Sequence, residues 1–511
     1  MAAKRPNILL ITSDQQHWDT LGVTNPRIRT PALDRLAREG VRFERAYCSN
    51  PVCSPARSSI ITGLYPAWHH CWTIGVKLPE DVPTVGDIFR ANGYATILIG
   101  KAHFQPLAST SRSVSLECQP ILRDLEFWRG FHGPWYGFDH VEVARNHADE
   151  SHAGQHYGIW LEEQGLKNWR DYFQEWPPSS DAPRRKRYWE RDTYAWDLPE
   201  RFHYTTWTGE RTIANMEKCV AEGRPFFLWA SFQDPHPPYL VPEPWASMYD
   251  PEDMEPGALA EGELDLLAPH FGKTQEDRPN FSMYRETFGA HGFHSHLIDE
   301  WELRRCMATY YGMVSFMDCQ IGRILGALDR LGQTDKTLVV FTTDHGHFLG
   351  QHGLIAKGAF HFEDMIKIPM LARWPDQIPG GVTTQALQSQ VDFAPTFLTA
   401  AEIEAPGLMQ GVSQLEVWRR RADHARNHVI VENRHEPTRV HLRTFVDERY
   451  KITVYRDHEY GELFDLRGDP GETHNLWDEA SYAGLKGRLL HRFLNAELAR
   501  EPTRMDRIAG A

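Results

Sequence analysis

Pro6-Asn7-Ile8-Leu9-Leu10-Ile11-Thr12-Ser13-Asp14-Gln15 is a short, continuous apolar run that ends abruptly in polar residues. A run of this length, bounded by proline and by Ser-Asp, predicts a strand buried on both faces, as in a parallel sheet. Asp14 then stands at the carboxyl end of that strand. Tyr94 to Ile99 predicts a second such strand, ending in Gly100-Lys101-Ala102-His103. Pro225 to Phe232 predicts a third, ending in Asp234-Pro235-His236-Pro237, and Thr337 to Thr342 a fourth, ending in Asp344-His345-Gly346. Helical patterns lie between them. Thr30-Pro31 caps a helix through Leu33, Leu36 and Ala37 that stops at Gly40; Val85 to Ala91 is stopped by Gly93; Leu303 to Leu331 is long. Strands alternating with helices predict an α/β fold, with a large mixed, mostly parallel sheet sandwiched by helices. Ligands bind outside the carboxyl ends of strands in such sheets, so four strand ends delivering Asp, His or Lys predict one site.

The alternation breaks between residues 105 and 205. Nearly half of the 17 tryptophans lie between Trp128 and Trp207, beside a basic patch at Arg184-Arg185-Lys186-Arg187. This stretch reads as an insertion over the sheet. Its aromatic faces would suit an aryl or quaternary ammonium leaving group, although rings of this size more often pack cores and interfaces. After about residue 420 the pattern becomes short strands separated by turns: Val429 to Val431, Val440 to Thr444, Tyr450 to Val454 and Glu462 to Leu466. A terminal helix follows from about Leu485 to Leu498. The expected division is a catalytic α/β domain over 1–420 and a smaller C-terminal α+β domain over 421–511. A chain of 511 residues buries enough surface for both.

The net charge of −14 argues against nucleic acid or an anionic membrane surface as partner. It does not exclude a small anion in a locally basic pocket. Seven irregularly spaced cysteines are not a disulfide framework and favour a reducing compartment. The apolar run after Lys4-Arg5 is too short for the core of a signal peptide, and no run of 18 apolar residues exists. The expected location is cytoplasmic.

Cys53-Ser54-Pro55-Ala56-Arg57-Ser58-Ser59-Ile60-Ile61-Thr62-Gly63 carries the chemistry. No second cysteine lies two to four residues away, so this is not a zinc spacing. Pro55 suits the first turn of a helix running to Thr62. A nucleophile just ahead of that helix gains from its positive end, and so does a bound oxyanion. Arg57, one turn on, can hold oxygen atoms in its planar fork. An isolated aspartate at a strand end is most often a cap or turn former. Two such ends with adjacent donors, Asp14-Gln15 and Asp344-His345, fit a divalent cation better, and that cation would act as a Lewis acid.

The ordered motifs resemble those of the formylglycine-dependent sulfatases of the alkaline phosphatase superfamily, relatives of arylsulfatases, choline sulfatases and phosphonate monoester hydrolases. The resemblance runs from Asn7–Asp14 through Cys53–Gly63, Gly100–His103, Asp234–Pro238, Asp344–Lys357, Gln390–Thr396 and Tyr450–Ile452 to Glu462–Leu466, Asp469–Glu472 and Asn475–Leu476. It implies an alkaline phosphatase-like fold and conversion of Cys53 to formylglycine by a formylglycine-generating or equivalent maturation enzyme. It implies metal ligation by Asp14, Gln15, Asp344 and His345. It gives Lys101 as a binder of sulfate and formylglycine, His103 as base for the gem-diol, and His236 and Lys357 as contacts to the leaving-group oxygen. Many sulfatases carry Asp-Asp where this chain has Asp14-Gln15, which opens manganese beside calcium and points to the phosphonate hydrolases. Lys101 with His103 favours sulfate esters. The expected partner is a small-molecule sulfate ester, with a phosphonate or phosphate diester as the alternative. Cytoplasmic relatives tend to be dimers or tetramers, so a homo-oligomer is expected. His69, His70, His347, His352 and His361 are set aside as packing or supporting residues.

Overall fold

A computed structural model describes residues 5–175, 191, 193–284, 291–435 and 438–501. The basic patch at 184–187 lies outside them.

Eight strands form the main sheet: β1 (Asn7–Ser13), β2 (Val41–Phe43), β3 (Ala95–Gly100), β4 (His140–Val143), β5 (Phe226–Ser231), β6 (Thr337–Thr343), β7 (Met370–Arg373) and β8 (Val382–Thr384), in the order β8-β2-β7-β6-β1-β5-β3-β4. β7 is antiparallel to its neighbours β6 and β2, and the other pairs are parallel. The sheet is therefore mixed and mostly parallel, as expected. All seven residues of β1 are buried. Its side chains alternate between two cores: Ile8 and Leu10 belong to one, Leu9 and Ile11 to the other. That is the burial on both faces that a continuous apolar run requires.

Helices supply the two outer layers. α1 (Pro31–Glu39) buries Leu33 and Leu36 in the same core as Leu9, beside Met317, Ile321 and Ile324 of the long helix Glu300–Arg330. α2 (Cys53–Thr62) and α3 (Val85–Ala91) lie on the other face with Ile60, Ile61 and Phe89. α1 and α3 match their expected spans to within a residue or two. α2 begins at Cys53 itself, so the thiol sits on the first helical residue and not ahead of it.

One expectation is corrected. The region 105–205 does not lie wholly over the sheet, because β4 pairs in parallel with β3 and forms the sheet's edge. Its two-residue alternation is brief and hidden among aromatics. Trp128, Trp169 and Trp207 are fully buried, and Trp135, Trp160 and Trp196 nearly so. These six rings are core, as large aromatics usually are. Trp176 and Trp189 fall outside the described residues.

Val429–Arg434, His441–Val446, Tyr450–Tyr455 and Gly461–Asp465 form a four-stranded antiparallel sheet, and Ala483–Ala499 is the terminal helix. One face of this sheet packs Ile430, Phe445, Ile452 and Leu463 against Leu489 and Phe493 of that helix. Val429, Val431, Leu442 and Phe464 join the main core.

Candidate active site

Because β1, β3, β4, β5 and β6 run parallel, their carboxyl ends share one edge of the sheet. Backbone bonds stitch those ends together. Asp14 N–H donates to Asp234 O (3.1 Å), and Lys101 N–H to Ser231 O (2.9 Å). Gly100 has φ +104, and a Cβ there would lie 1.9 Å from Ser231 O, so only glycine lets Lys101 leave the strand at this angle.

Cys53, fully buried, sits at the centre. Its Sγ is 3.2 Å from His345 Nε2, 3.3 Å from Lys357 Nζ and 3.7 Å from Asp14 Oδ1. Burial and Asp14 push the thiol's pKa up, but Lys101, Lys357 and His345 outweigh them and lower it. Asp14 is pushed up by burial and pulled harder the other way by Lys101, His236, His147 and Arg57, so its carboxylate lies well below the usual range. Lys101 Nζ is hydrogen-bonded directly to Asp14.

Arg57 faces the carboxylates. Nε donates to Asp344 Oδ2 (2.9 Å), Nη1 to Lys101 O (3.0 Å) and Ser231 Oγ (2.6 Å). Nη2 lies 3.6 Å from Asp14 Oδ2 and has no hydrogen-bond partner. One donor of the fork therefore remains for an anion. His236 Nδ1 donates to Pro237 O (2.6 Å), and its Nε2 accepts from Lys357 (3.0 Å). His103 Nε2 accepts from Arg145 Nη2 (2.8 Å). That bond leaves the proton of the neutral ring on Nδ1, which has no partner, so His103 offers a donor here and not the free lone pair that the expected role as base for the gem-diol requires. Burial, then Arg145 and Lys101, hold His103 well below its usual pKa, so the neutral form applies.

Asp14, Cys53, Asp344 and His345 offer ligand atoms within 4.8 Å of one another. Gln15 belongs with them. Its backbone N–H donates to Asp344 Oδ1 (2.9 Å). Its Nε2 donates to His347 Nδ1 (2.9 Å), which turns the amide so that buried Oε1 has no hydrogen-bond partner. An orphaned carbonyl oxygen beside two carboxylates and an imidazole is a donor set that fits a divalent cation.

The ten residues singled out from the sequence thus meet at one place. Sequence reasoning missed Arg145, His147 and Glu150, which follow β4. His147 Nε2 is 2.7 Å from Lys101 Nζ and 3.4 Å from Asp14 Oδ2. The signal was the same strand-end rule, masked because β4 was read as part of an insertion. Of the histidines set aside, His347 supports Gln15. His69 bonds Ser59 (3.1 Å) and His361 bonds Thr444 (2.7 Å).

Fold and site together gather a buried thiol, two carboxylates and several basic groups at one edge of the sheet, an arrangement suited to a small anion. The sulfatase family model matches residues 6–403, and a model named N-sulphoglucosamine sulphohydrolase, C-terminal, matches 350–499. The chain belongs to the sulfatase family and is a sulfuric ester hydrolase. It is 28% identical over 510 residues to uncharacterized sulfatase YidJ of Escherichia coli (strain K12), covering 98% of this chain and 89% of that one. It is 28% identical over 519 residues to the multifunctional alkaline phosphatase superfamily protein PehA of Trinickia caryophylli, covering 94% and 93%. Among solved structures, the phosphonate monoester hydrolase of Agrobacterium radiobacter superposes with a TM-score of 0.76 at 25% identity, covering 97% of this chain and 96% of that one. No helix among the described residues is long and apolar enough to cross a membrane.

Proposed function

We propose that the chain is a formylglycine-dependent sulfatase that cleaves the S–O bond of small sulfate monoesters. The observation that carries this reading is the buried Cys53, with Lys357, His345 and Asp14 around its side chain and Lys101 on Asp14. Converted to formylglycine, residue 53 would supply a hydrated aldehyde: one deprotonated hydroxyl would form the new S–O bond as the ester S–O bond breaks and the alcohol leaves, and loss of the second hydroxyl's proton would expel sulfate and restore the aldehyde. Asp14, Gln15, Asp344 and His345 would hold one calcium or manganese ion, which would supply Lewis acidity at a substrate oxygen.

The chain's own groups divide the remaining work. Lys101, the free Nη2 of Arg57 and His103 Nδ1–H donate to the oxygens of the sulfuryl group. Lys357, already donating to His236 Nε2, delivers a proton toward the leaving-group oxygen through this pair. These side chains are at most 4% exposed, and the low local polarity strengthens each of these contacts. Peptide mass spectrometry of the segment around residue 53 tests the reading. Formylglycine is expected in active preparations, and an unmodified thiol in fully active enzyme rules it out.

A second reading, hydrolysis of phosphonate monoesters or phosphate diesters in the same site, is favoured by Gln15 and His345 and by the likeness to the Agrobacterium radiobacter structure. Lys101 and His103 favour sulfate. Rates on aryl sulfate, phenyl phosphonate and diester substrates separate the two, and sulfate is expected to lead. We place the protein in the cytoplasm as a homo-oligomer; size-exclusion chromatography with light scattering tests the assembly.

A further inference from the structure

The segment after β4 carries a pair of residues that the mechanism above leaves unused. His147 is buried, and its tautomer is fixed. A carboxylate only accepts, so the 3.0 Å contact between His147 Nδ1 and Glu150 Oε2 puts the proton on Nδ1. The same oxygen accepts from the His147 backbone N–H (3.1 Å), which ties the turn to the ring. Nε2 keeps its lone pair and accepts from Lys101 Nζ at 2.7 Å. The ring also stacks on His236, with centroids 3.7 Å apart and planes 15° apart. One imidazole therefore touches the lysine on the anion side and the histidine on the leaving-group side.

We propose that Glu150 and His147 form a positioning pair: Glu150 locks the His147 tautomer, and His147 aims Lys101 at the anion while bracing the His236 ring toward the leaving-group oxygen. The proposal rests on the roles given above to Lys101 and His236. It adds an assignment for a segment in which the sequence showed only aromatics. The chemistry of the acceptor favours it. Lys101 is already paired with the Asp14 carboxylate, and a second carboxylate in place of His147 would cancel more of the charge that an anion needs. A neutral imidazole orients the same ammonium and leaves its charge in place. Stacking on His236 constrains the plane of that ring without using either of its nitrogens, both of which are already committed.

Three variants separate the two halves of the role. Glu150→Gln removes the carboxylate, His147→Phe keeps a stacking ring without an acceptor, and His147→Asn loses the stack. Purified protein is titrated with inorganic sulfate by calorimetry, and kcat/KM is measured on two aryl sulfates whose leaving phenols differ in acidity. Unfolding temperature is recorded for each variant. Glu150→Gln and His147→Phe are expected to weaken sulfate binding roughly tenfold or more. His147→Phe keeps the wild-type ratio of rates on the two esters. His147→Asn is expected to weaken sulfate binding and also to slow the ester with the poorer leaving group more than the better one. Sulfate affinity unchanged in both Glu150→Gln and His147→Phe overturns the pair. So does a loss in His147→Asn that is equal on both esters, because that is what a structural defect alone produces. Wild-type protein that neither binds sulfate nor hydrolyses either ester overturns the reading of the site itself, a result distinct from active wild type with unaffected variants.

Discussion

Three buried histidines of the site and a fourth outside it, His352, are kept in opposite charge states. His103, His147 and His236 lie among Arg145, Lys101 and Lys357, and burial together with those cations lowers all three pKa values. His352 is nearly as buried but sits between Glu263 and Asp364, stacked flat on Phe362 at 3.5 Å. Burial pulls its pKa down, yet the hydrogen bonds and charges of Asp364 and Glu263 raise it to about 9. The side chain is the same, and the neighbours decide its charge. Neutral imidazoles that keep a lone pair or an N–H serve a site that handles an anion and moves protons. A protonated imidazole held by two carboxylates serves as a structural cation. The contrast predicts that changes in the first group move turnover and changes in the second move stability.

The largest expected effect is on residue 53. Cys53→Ala removes the proposed precursor of the nucleophile and should lower kcat/KM on an aryl sulfate by a factor of roughly 10⁴ or more. Its unfolding temperature should stay within a few degrees, because only one sulfur atom is lost from a polar pocket. An unfolding temperature that collapses together with activity would break the contrast. Lys357→Ala comes next. It removes the donor to His236 Nε2 and a cation 3.3 Å from Sγ. Rates should fall on the order of 10²–10⁴-fold, and most for the least acidic leaving phenols. Equal losses across leaving groups would remove Lys357 from that end of the reaction. His347→Leu is smaller. The ring holds the Gln15 amide and is itself held by Tyr239 at 2.9 Å. Its loss should weaken affinity for added manganese or calcium by about 10–100-fold, read by metal titration of chelator-treated protein.

How far the sequence revealed this arrangement depends on how each residue reaches the site. Asp14, Lys101, His236 and Asp344 were legible because each follows a short apolar run. Parallel pairing then forces the ends of those runs together, without any side-chain detail. Cys53 and Arg57 were legible from their motif. What Arg57 does was not. Its fork was expected on an anion, whereas three of its donor contacts go to Asp344, Lys101 O and Ser231. A sequence cannot show that a buried carboxylate, a backbone carbonyl and a serine will claim most of a guanidinium. His147 was hidden for a different reason. β4 has only four residues, His140–Val143, amid a tryptophan-rich stretch, so neither its period nor its partner strand was apparent. The C-terminal sheet was legible in every strand because antiparallel strands joined by short turns carry their boundaries locally.

His352→Gln should have the smallest effect on turnover and tests the other half of the contrast. The folded protein holds the proton at His352 up to about pH 9, while the unfolded chain releases it near 6.5. Between those values the native state binds more protons than the unfolded state, so stability falls as pH rises. The contribution is complete below pH 6.5 and gone above about 9, and its size is about 3 kcal/mol. Wild-type unfolding temperature should therefore decline across pH 6.5–9, and His352→Gln should be less stable than wild type at pH 6 with the difference shrinking toward pH 9. Glutamine keeps a donor for one carboxylate but carries no charge, so Glu263 and Asp364 then repel each other at every pH in the window. Wild type loses the charge, and gains the same repulsion, above about pH 9, so any deficit that remains there reports the lost ring stack on Phe362, while the pH-dependent part should vanish. If the two proteins instead lose stability in parallel from pH 6.5 to 9, His352 is neutral in the fold, and the opposition between the two histidine groups fails at this end.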